Sequence, residues 1–377
     1  MRFKNVLRFF VILFVIGGAL GLAGGLILGG AKGDASANNA NGAGTTGTTA
    51  GKSTTTGKNG QTTTSVTQGQ AAAPVTAERA RAIGANEMGQ IMVLEYHLIG
   101  PDEANSQYTR TPENFRKDIA LLKTEGYYPI NLRDLVSGNI EVPAGKSPVV
   151  LTFDDSSIGQ YRLLDDGTLD PDCAMGILQA AVAQGNWAPR ASFFVLLDVD
   201  SPDRIVFGQS ALKKQKVQKL VEWGYEIGSH TVTHLDLKKA STAEAVKQLA
   251  VSKATIEALV GNGYVVQTLS VPFGDYPADD SIIGSGTYQG KKYTYKGAVE
   301  VAGGPSASPF STLFKPLHIK RIQVTGNALK DAIDAFKKNP ELRFVSDGDP
   351  AAISAPTELA SQLGALQGDL GRPVIRY

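Results

Sequence analysis

The chain has 377 residues, more than one average domain, and 42% of them are hydrophobic, which is enough for a sizeable core. Its formal net charge of +1 gives no reason to expect a nucleic acid or a strongly acidic partner. The single cysteine, Cys173, excludes an intramolecular disulfide and a metal site built on two thiols.

The first 30 residues have the pattern of a membrane anchor. Arg2, Lys4 and Arg8 precede an uncharged stretch, residues 9–30. As a helix this stretch would be roughly 33 Å long, enough to span the hydrocarbon core of a bilayer. Because positive charge marks the cytoplasmic side, the rest of the chain is expected outside. The sequence therefore predicts a single-pass protein of the cell membrane with an anchor over residues 1–30.

Two alternatives stay open for this region. Ala35-Ser36-Ala37 has the small-x-small pattern of a signal-peptide cleavage site, and cleavage there would give a secreted protein. Glycine also recurs every four residues in the span, at Gly17, Gly21, Gly25 and Gly29. That spacing lets two membrane helices approach closely and predicts a homodimer, although a glycine-rich span without a partner fits equally well.

Composition divides the rest of the chain into three parts. Residues 31–74 are nearly all Gly, Thr, Ser, Asn, Gln and Ala with no aromatic residue, so they bury too little apolar surface to fold and are expected to form a flexible linker. Residues 75–346 carry the patterns of a folded domain. Residues 347–377 form a tail that matches no motif.

The folded part begins with a strand and two helices. The run 91–96 predicts a strand. Thr111 then predicts a helix cap, with Pro112 in the first turn and Gly126 as the helix end. Residues 131–138 predict a second, short helix.

Buried strands and helices then alternate. The continuous apolar runs 149–153, 191–197 and 225–227 are typical of strands buried on both faces. Helices are predicted between them, near 173–184 and 213–223. A longer helix is predicted over 242–260, where Ser241 and Glu244 have capping-box spacing. This alternation predicts a parallel α/β fold, with a barrel favoured over an open sheet. The glycine-rich patterns of nucleotide enzymes are missing.

Two of these strands end in residues suited to metal chemistry. Asp154 and Asp155 follow the first buried run, and His230 and His234 follow the third. If their segment turns helically, the two histidines lie on one face, and two imidazoles with one carboxylate form a common ligand set for divalent ions. Paired aspartates alone often cap a helix, and histidines four apart are often structural. Their conjunction at strand ends of one domain favours a metal site.

The same residues lie in stretches that resemble the polysaccharide deacetylases, the carbohydrate esterase group with the NodB-type domain. Residues 152–155 resemble the first family motif, 224–235 the second almost residue for residue, and 271–274 the third. Residues 191–195 and the pair Tyr96-His97 are similar to family strands. The resemblance implies a distorted (β/α) barrel and hydrolysis of the acetamide of N-acetylglucosamine-type sugars.

The resemblance also implies roles for individual residues. Asp155, His230 and His234 would hold a divalent metal ion, zinc first, with cobalt, nickel or manganese as alternatives, and Asp154 would be the general base. The family's late histidine, the general acid, matches only His318, which also fits a surface or strand histidine beside Lys320 and Arg321. An oxyanion would meet the ion and a backbone N–H in the loop near Tyr161. The substrate would contact the third motif, Pro272, Phe273 and Gly274.

Three departures from the family pattern stand out. Ser270 occupies the place where many members have an arginine that steers the catalytic aspartate, and Arg321, from another strand, is a hypothetical substitute. Ser156 replaces a usual glycine. The stretch 156–189 is longer and more polar than usual, and we interpret it as a turn feeding a helix that shapes the substrate groove.

The sequence therefore predicts a membrane-anchored, metal-dependent deacetylase of an extracytoplasmic polysaccharide such as peptidoglycan. Its partners are the polysaccharide and, through the anchor, the membrane. One alternative, prompted by Ser270, is a catalytically weak relative that binds glycan without cutting it. Another is an O-acetyl esterase or small-amide hydrolase on the same fold.

Overall fold

The computed structural model describes residues 75–102 and 107–377. The predicted anchor, residues 1–30, and the predicted linker, residues 31–74, lie outside the described residues. Within the described ranges, none of the helices is both long and apolar enough to cross a bilayer.

The centre of the fold is a closed ring of seven parallel strands, which confirms the predicted barrel. The ring order is β1-β12-β11-β8-β7-β6-β5, and β5 pairs back to β1. An eighth parallel strand, β4, pairs with the first half of β5 and distorts the ring. The strands are β1 (Met92–Tyr96), β2 (Leu98–Ile99), β3 (Thr109–Arg110), β4 (Tyr127–Ile130), β5 (Ser147–Phe153), β6 (Ser192–Val195), β7 (Glu226–Ser229), β8 (Thr268–Ser270), β9 (Ser285–Tyr288), β10 (Lys291–Thr294), β11 (Gly297–Gly303), β12 (Ile319–Gln323), β13 (Ile353–Ala355) and β14 (Val374–Arg376).

Helices connect most strands of the ring. The helices of the described residues are α1 (Ala77–Ile83), α2 (Pro112–Thr124), α3 (Leu132–Ser137), α4 (Ala174–Ala183), α5 (Lys213–Glu222), α6 (Thr242–Val260), α7 (Ser281–Gly284) and α8 (Ala328–Lys338). The predicted caps are confirmed. The Thr111 side chain accepts a hydrogen bond from the backbone N–H of Asn114, and Ser241 accepts one from that of Glu244.

The predicted core strands are buried because both of their faces are covered. All seven residues of β5 are buried, as expected for a parallel strand with the barrel interior on one face and helices on the other. Aromatic rings fill this region: Phe153 stacks on Phe193 at 4.7 Å between ring centroids and on Tyr96 at 5.4 Å. This packing fixes the carboxyl ends of β1, β5 and β6.

The tail, residues 347–377, is part of the folded domain. Ile353, Ala355 and Leu363 are buried in one apolar cluster with Met88 and Val93 of the barrel. β13 and β14 form a separate parallel pair. The domain therefore continues past residue 346.

Candidate active site

The predicted reactive residues gather at the carboxyl end of the barrel. Asp154 and Asp155 follow β5 directly, and His230 follows β7. Parallel barrels place their reactive groups at this end, since all strands finish there and the loops diverge.

Asp155, His230 and His234 meet around one point. Oδ1 of Asp155 lies 3.5 Å from Nε2 of His230 and 3.5 Å from Nε2 of His234. Two nitrogen or oxygen atoms bound tetrahedrally at about 2.1 Å to one ion would lie about 3.4 Å apart. The three residues therefore fit a divalent ion.

The two histidines reach this point through a turn and not through a helix. Thr231 and His234 both have left-handed backbone conformations, with φ of 67° and 57°. The rings lie 4.7 Å apart and 76° from parallel. Nδ1–H of His230 donates to the carbonyl oxygen of Ser270 at 2.8 Å, which leaves Nε2 as the ligand atom.

The protonation of this cluster is set by burial and by the charges of its own members. Burial alone would raise the pKa of Asp155, but the hydrogen bond and charge of His230 hold it well below its usual range. Burial likewise opposes the protonated form of His230, yet the nearby Asp154 and Asp155 raise its pKa. Burial, together with the charge of His230, lowers the pKa of His234 to about 4, so its imidazole is neutral at physiological pH and able to bind metal.

Asp154 is held by an arginine from β12, a strand that only β1 separates from β5 in the ring. The Arg321 guanidinium contacts both carboxylate oxygens, NH1 to Oδ1 at 2.9 Å and NH2 to Oδ2 at 2.8 Å. The Ser270 hydroxyl adds a bond to Oδ2 at 2.8 Å. Burial would raise the pKa of Asp154, but Arg321 and then His230 hold it well below its usual range. The hypothetical contact of Arg321 is thus present, and Ser270 supports it.

Sequence reasoning missed two residues of the site, Glu95 and His97. Both line the cavity above the metal ligands, and His97 Nε2 lies 3.3 Å from Oε1 of Glu95. Burial lowers the pKa of His97, so the protonated ring gives up its proton more easily than a free imidazole does. Burial raises the pKa of Glu95 to about 7, although Arg321 opposes the shift. The motif Tyr96-His97 at the end of the first strand was the available signal.

Glu95, His97 and Asp154 also lie close enough to hold an ion, but a cation is already there. NH2 of Arg321 lies 3.6 Å from Oε1 of Glu95 while it binds Asp154. This guanidinium neutralises the group, so a second metal ion is disfavoured.

The structure does not bring His318 to this site. His318 precedes β12 and therefore lies at the amino end of the barrel, opposite the metal ligands. Its ring stacks on Tyr276 at 4.3 Å, and its nitrogens face Asp280 at 3.1 Å and Glu300 at 3.3 Å. The prediction that His318 donates a proton to the substrate does not fit this position. His318 was predicted from its position along the chain, and this position does not show at which end of a strand the residue lies.

The cavity over the site has a volume of about 610 Å³. Of the predicted substrate residues, Phe273 lines it, with 59% of its surface exposed and its ring 4.5 Å from that of His234. Pro272 is buried, and Gly274 packs against Val301, so both shape the turn that presents Phe273. Tyr108, 47% exposed, lies beside His97 on the other side.

The long loop after β5 contributes to the wall as predicted, through Ser157 and Ile158. Tyr161, where a backbone N–H was expected to face the substrate, is instead buried beside Phe207 and Trp223 and does not line the cavity.

Comparison with known proteins agrees with this geometry. Residues 141–283 match the family model described as polysaccharide deacetylase, and this match supports an amide-hydrolysing enzyme. The matched segment includes the three metal-ligand candidates and Asp154. Glu95, His97 and Arg321 lie outside it.

Solved structures show more distant likenesses. A polysaccharide deacetylase from Bacillus cereus is 22% identical, with a TM-score of 0.48 over 65% of this chain and 68% of its own. The Streptococcus pyogenes deacetylase PplD is 22% identical, with a TM-score of 0.47 over 65% of this chain and 97% of its own. IcaB from Ammonifex degensii is 17% identical, with a TM-score of 0.46 over 65% and 96%. None of the curated proteins matches the chain.

Proposed function

We propose that this protein uses a divalent metal ion to remove N-acetyl groups from an N-acetylglucosamine-type polysaccharide. The observation that carries the proposal is the convergence of Asp155, His230 and His234 beside a carboxylate, Asp154, that its arginine partner keeps ionised. A bound ion would supply Lewis acidity toward the amide carbonyl and acidify a water molecule.

Asp154 is placed to accept a proton from the attacking water. It lies next to the ligand Asp155, and its Oδ2 is 4.0 Å from Nε2 of His230. Since Arg321 and Ser270 fix both of its oxygens, the carboxylate loses little freedom when it acts.

His97 is the proton donor that the leaving amine requires. An amine leaves poorly unless it is protonated, and His97 is the histidine that lines the cavity without belonging to the metal-ligand set. Glu95 lies beside its ring, with Oε1 3.3 Å from Nε2, and would stabilise the protonated imidazole. The Tyr108 ring, 5.0 Å from that of His97, limits its movement on the cavity side.

A sugar chain suits the cavity better than a small amide does. Phe273 and Tyr108 expose aromatic faces on two sides of the opening, and Leu98 adds an exposed apolar surface. Such faces pack against the C–H faces of pyranose rings while the polar residues lie below them. The enzyme is proposed to act outside the cytoplasm on a surface glycan, held to the membrane by residues 1–30.

Acetate release tests the proposal. The full chain is incubated with N-acetylglucosamine oligomers and with purified peptidoglycan, with zinc, cobalt, nickel or manganese, and with a chelator. We expect metal-dependent release that Asp154→Asn abolishes. Zinc bound at His230 and His234 without acetate release from any glycan would contradict the proposal and favour a glycan-binding protein. Faster release from O-acetyl esters than from amides would favour an esterase.

A further inference from the structure

Asp155 is shared between the candidate metal position and an arginine. NH2 of Arg204 lies 2.6 Å from Oδ1 of Asp155, the same oxygen that faces His230 and His234 at 3.5 Å each. Arg204 lies outside the ligand set and also lines the cavity. The same carboxylate oxygen therefore contacts the Arg204 guanidinium and also faces the position where a divalent ion would bind.

The backbone of Arg204 is held by a residue that departs from the family pattern. The Ser156 hydroxyl donates to the carbonyl oxygen of Arg204 at 2.7 Å and accepts from the N–H of Leu196 at 3.0 Å. Its carbonyl accepts from the N–H of Phe207 at 2.8 Å. Glycine has no hydroxyl to make the first two bonds, so Ser156 attaches the Arg204 turn to the loop that carries Asp155.

The Arg204 side chain is less constrained than its backbone. It is 35% exposed, and its Nε has no hydrogen-bonding partner among the described residues. Arg321 differs: it is fully buried and contacts both oxygens of Asp154. Arg204 can therefore turn away from Asp155 into the cavity, whereas Arg321 is fixed.

The positive charge of Arg204 affects how strongly Asp155 can bind a metal ion. Arg321 already compensates Asp154, so Asp155 supplies the negative charge among the three candidate ligands. A cation beside that charge stabilises the metal-free site and repels an incoming divalent ion. We propose that Arg204 competes with the metal ion for Asp155, so that the site binds its ion more weakly than its three ligands alone would. This inference rests on the metal site of the proposed function.

Zinc affinity tests the competition directly. Metal-free full chain is titrated with zinc chloride by isothermal titration calorimetry, as wild type and as Arg204→Gln and Arg204→Lys. Losing a supporting partner of a metal ligand typically costs 10–100-fold in metal affinity, whereas losing a competing cation should change the affinity in the opposite direction. We expect Arg204→Gln to bind zinc about tenfold more tightly. Arg204→Lys, which keeps the charge, should stay near wild type.

Two further variants separate competition from other causes. Arg116→Gln removes one positive charge from a remote exposed pair with Asp172 and should leave affinity unchanged. Ser156→Gly, which frees the Arg204 turn, should tighten binding by less than Arg204→Gln does. Equal or weaker zinc binding by Arg204→Gln would overturn the inference, as would tightening by Arg204→Lys to the same degree. Because the readout is binding, a failure of acetate release alone leaves this result intact, whereas a wild type that binds no zinc overturns both.

Discussion

At the scale of single residues, Arg321 connects the stability of the barrel with its chemistry. Its fully buried guanidinium compensates Asp154 and lies 3.6 Å from Glu95. Removing one partner of a buried ion pair leaves an uncompensated charge, which typically costs about 3–5 kcal/mol. We therefore expect Arg321→Gln to lower the free energy of unfolding by this amount and to abolish acetate release.

Ser270→Ala is the matched control for Arg321. It removes the hydrogen bond to Oδ2 of Asp154 and the one that Arg321 donates to the Ser270 hydroxyl at 3.2 Å, each worth about 1 kcal/mol, and leaves both contacts between Arg321 and Asp154 in place. Urea denaturation followed by tryptophan fluorescence compares the two variants, since Trp187 and Trp223 both lie in the folded domain. Equal losses in both would show that the arginine charge does not dominate.

The histidine that the sequence predicts as the proton donor and the histidine that lines the cavity give opposite expectations. His97 lines the cavity and His318 does not. We expect His97→Gln to reduce kcat by about 10²–10⁴-fold at saturating metal, the usual contribution of a positioned acid. His318→Gln should leave kcat unchanged. Loss of bound zinc in His97→Gln would show instead that His97 is a metal ligand.

Site residues that lie in short motifs at the ends of strands could be predicted from the sequence. Asp154, Asp155, His230 and His234 are recognisable because short spacing and strand ends restrict where they can lie. Glu95 and Arg321 were harder to predict, since a single charged residue in a strand normally indicates a surface. Their burial depends on each other and on Asp154, contacts between residues far apart in the chain.

At the scale of elements, apolar runs and capping residues predicted the bounds of those helices and strands that depend on local interactions. The bounds of α6, Thr242–Val260, are as predicted because Ser241 caps it and Gly261, with φ of 75°, ends it. Arg321 was placed on a strand, but the bounds of β12, Ile319–Gln323, were not predicted because Lys320, Arg321 and Gln323 interrupt its apolar pattern. The barrel compensates Arg321 internally, so the strand does not need a continuous apolar run.

The positions of the loops that follow β5 and β6 depend on contacts between residues far apart in the chain, which a local sequence pattern does not show. Lys216 of α5 is buried, and its Nζ donates to the carbonyl oxygens of Tyr161 at 2.8 Å and Phe207 at 2.7 Å. One side chain thus joins the two loops whose other parts line the cavity. Burial lowers the pKa of Lys216 to about 8, so this link is charged below that pH.

At the scale of the whole molecule, the tail packs against the first of the described residues. Tyr377 donates its hydroxyl proton to the carbonyl oxygen of Ala85 at 2.5 Å, and Arg81 of α1 lies 5.7 Å from its ring centroid. The N–H of Thr357 donates to the carbonyl oxygen of Tyr377. The last residue of the chain is therefore packed against its first described helix, a contact that the sequence could not indicate because neither segment carries a motif.

A buried carboxyl group joins the tail to the barrel and makes stability depend on pH. Oε2 of Glu87 accepts from the N–H of Ser354 at 2.9 Å, and Oε1 accepts from the N–H of Asp347 at 3.3 Å. Burial, and then the charge of Asp347, raises the pKa of Glu87 from 4.5 to about 8. Since the folded pKa is the higher one, the stabilisation is complete below pH 4.5 and is lost as pH rises to about 8.

Glu87→Gln cannot ionise and should remove most of this dependence. Between pH 5 and pH 8 we expect wild type to lose on the order of 3 kcal/mol of unfolding free energy through Glu87, and the variant much less. Urea denaturation at both pH values measures the difference, with Glu113→Gln, in an exposed pair with Lys117, as control. If wild type and Glu87→Gln lose the same stability, protonation of Glu87 does not control how firmly the tail is held.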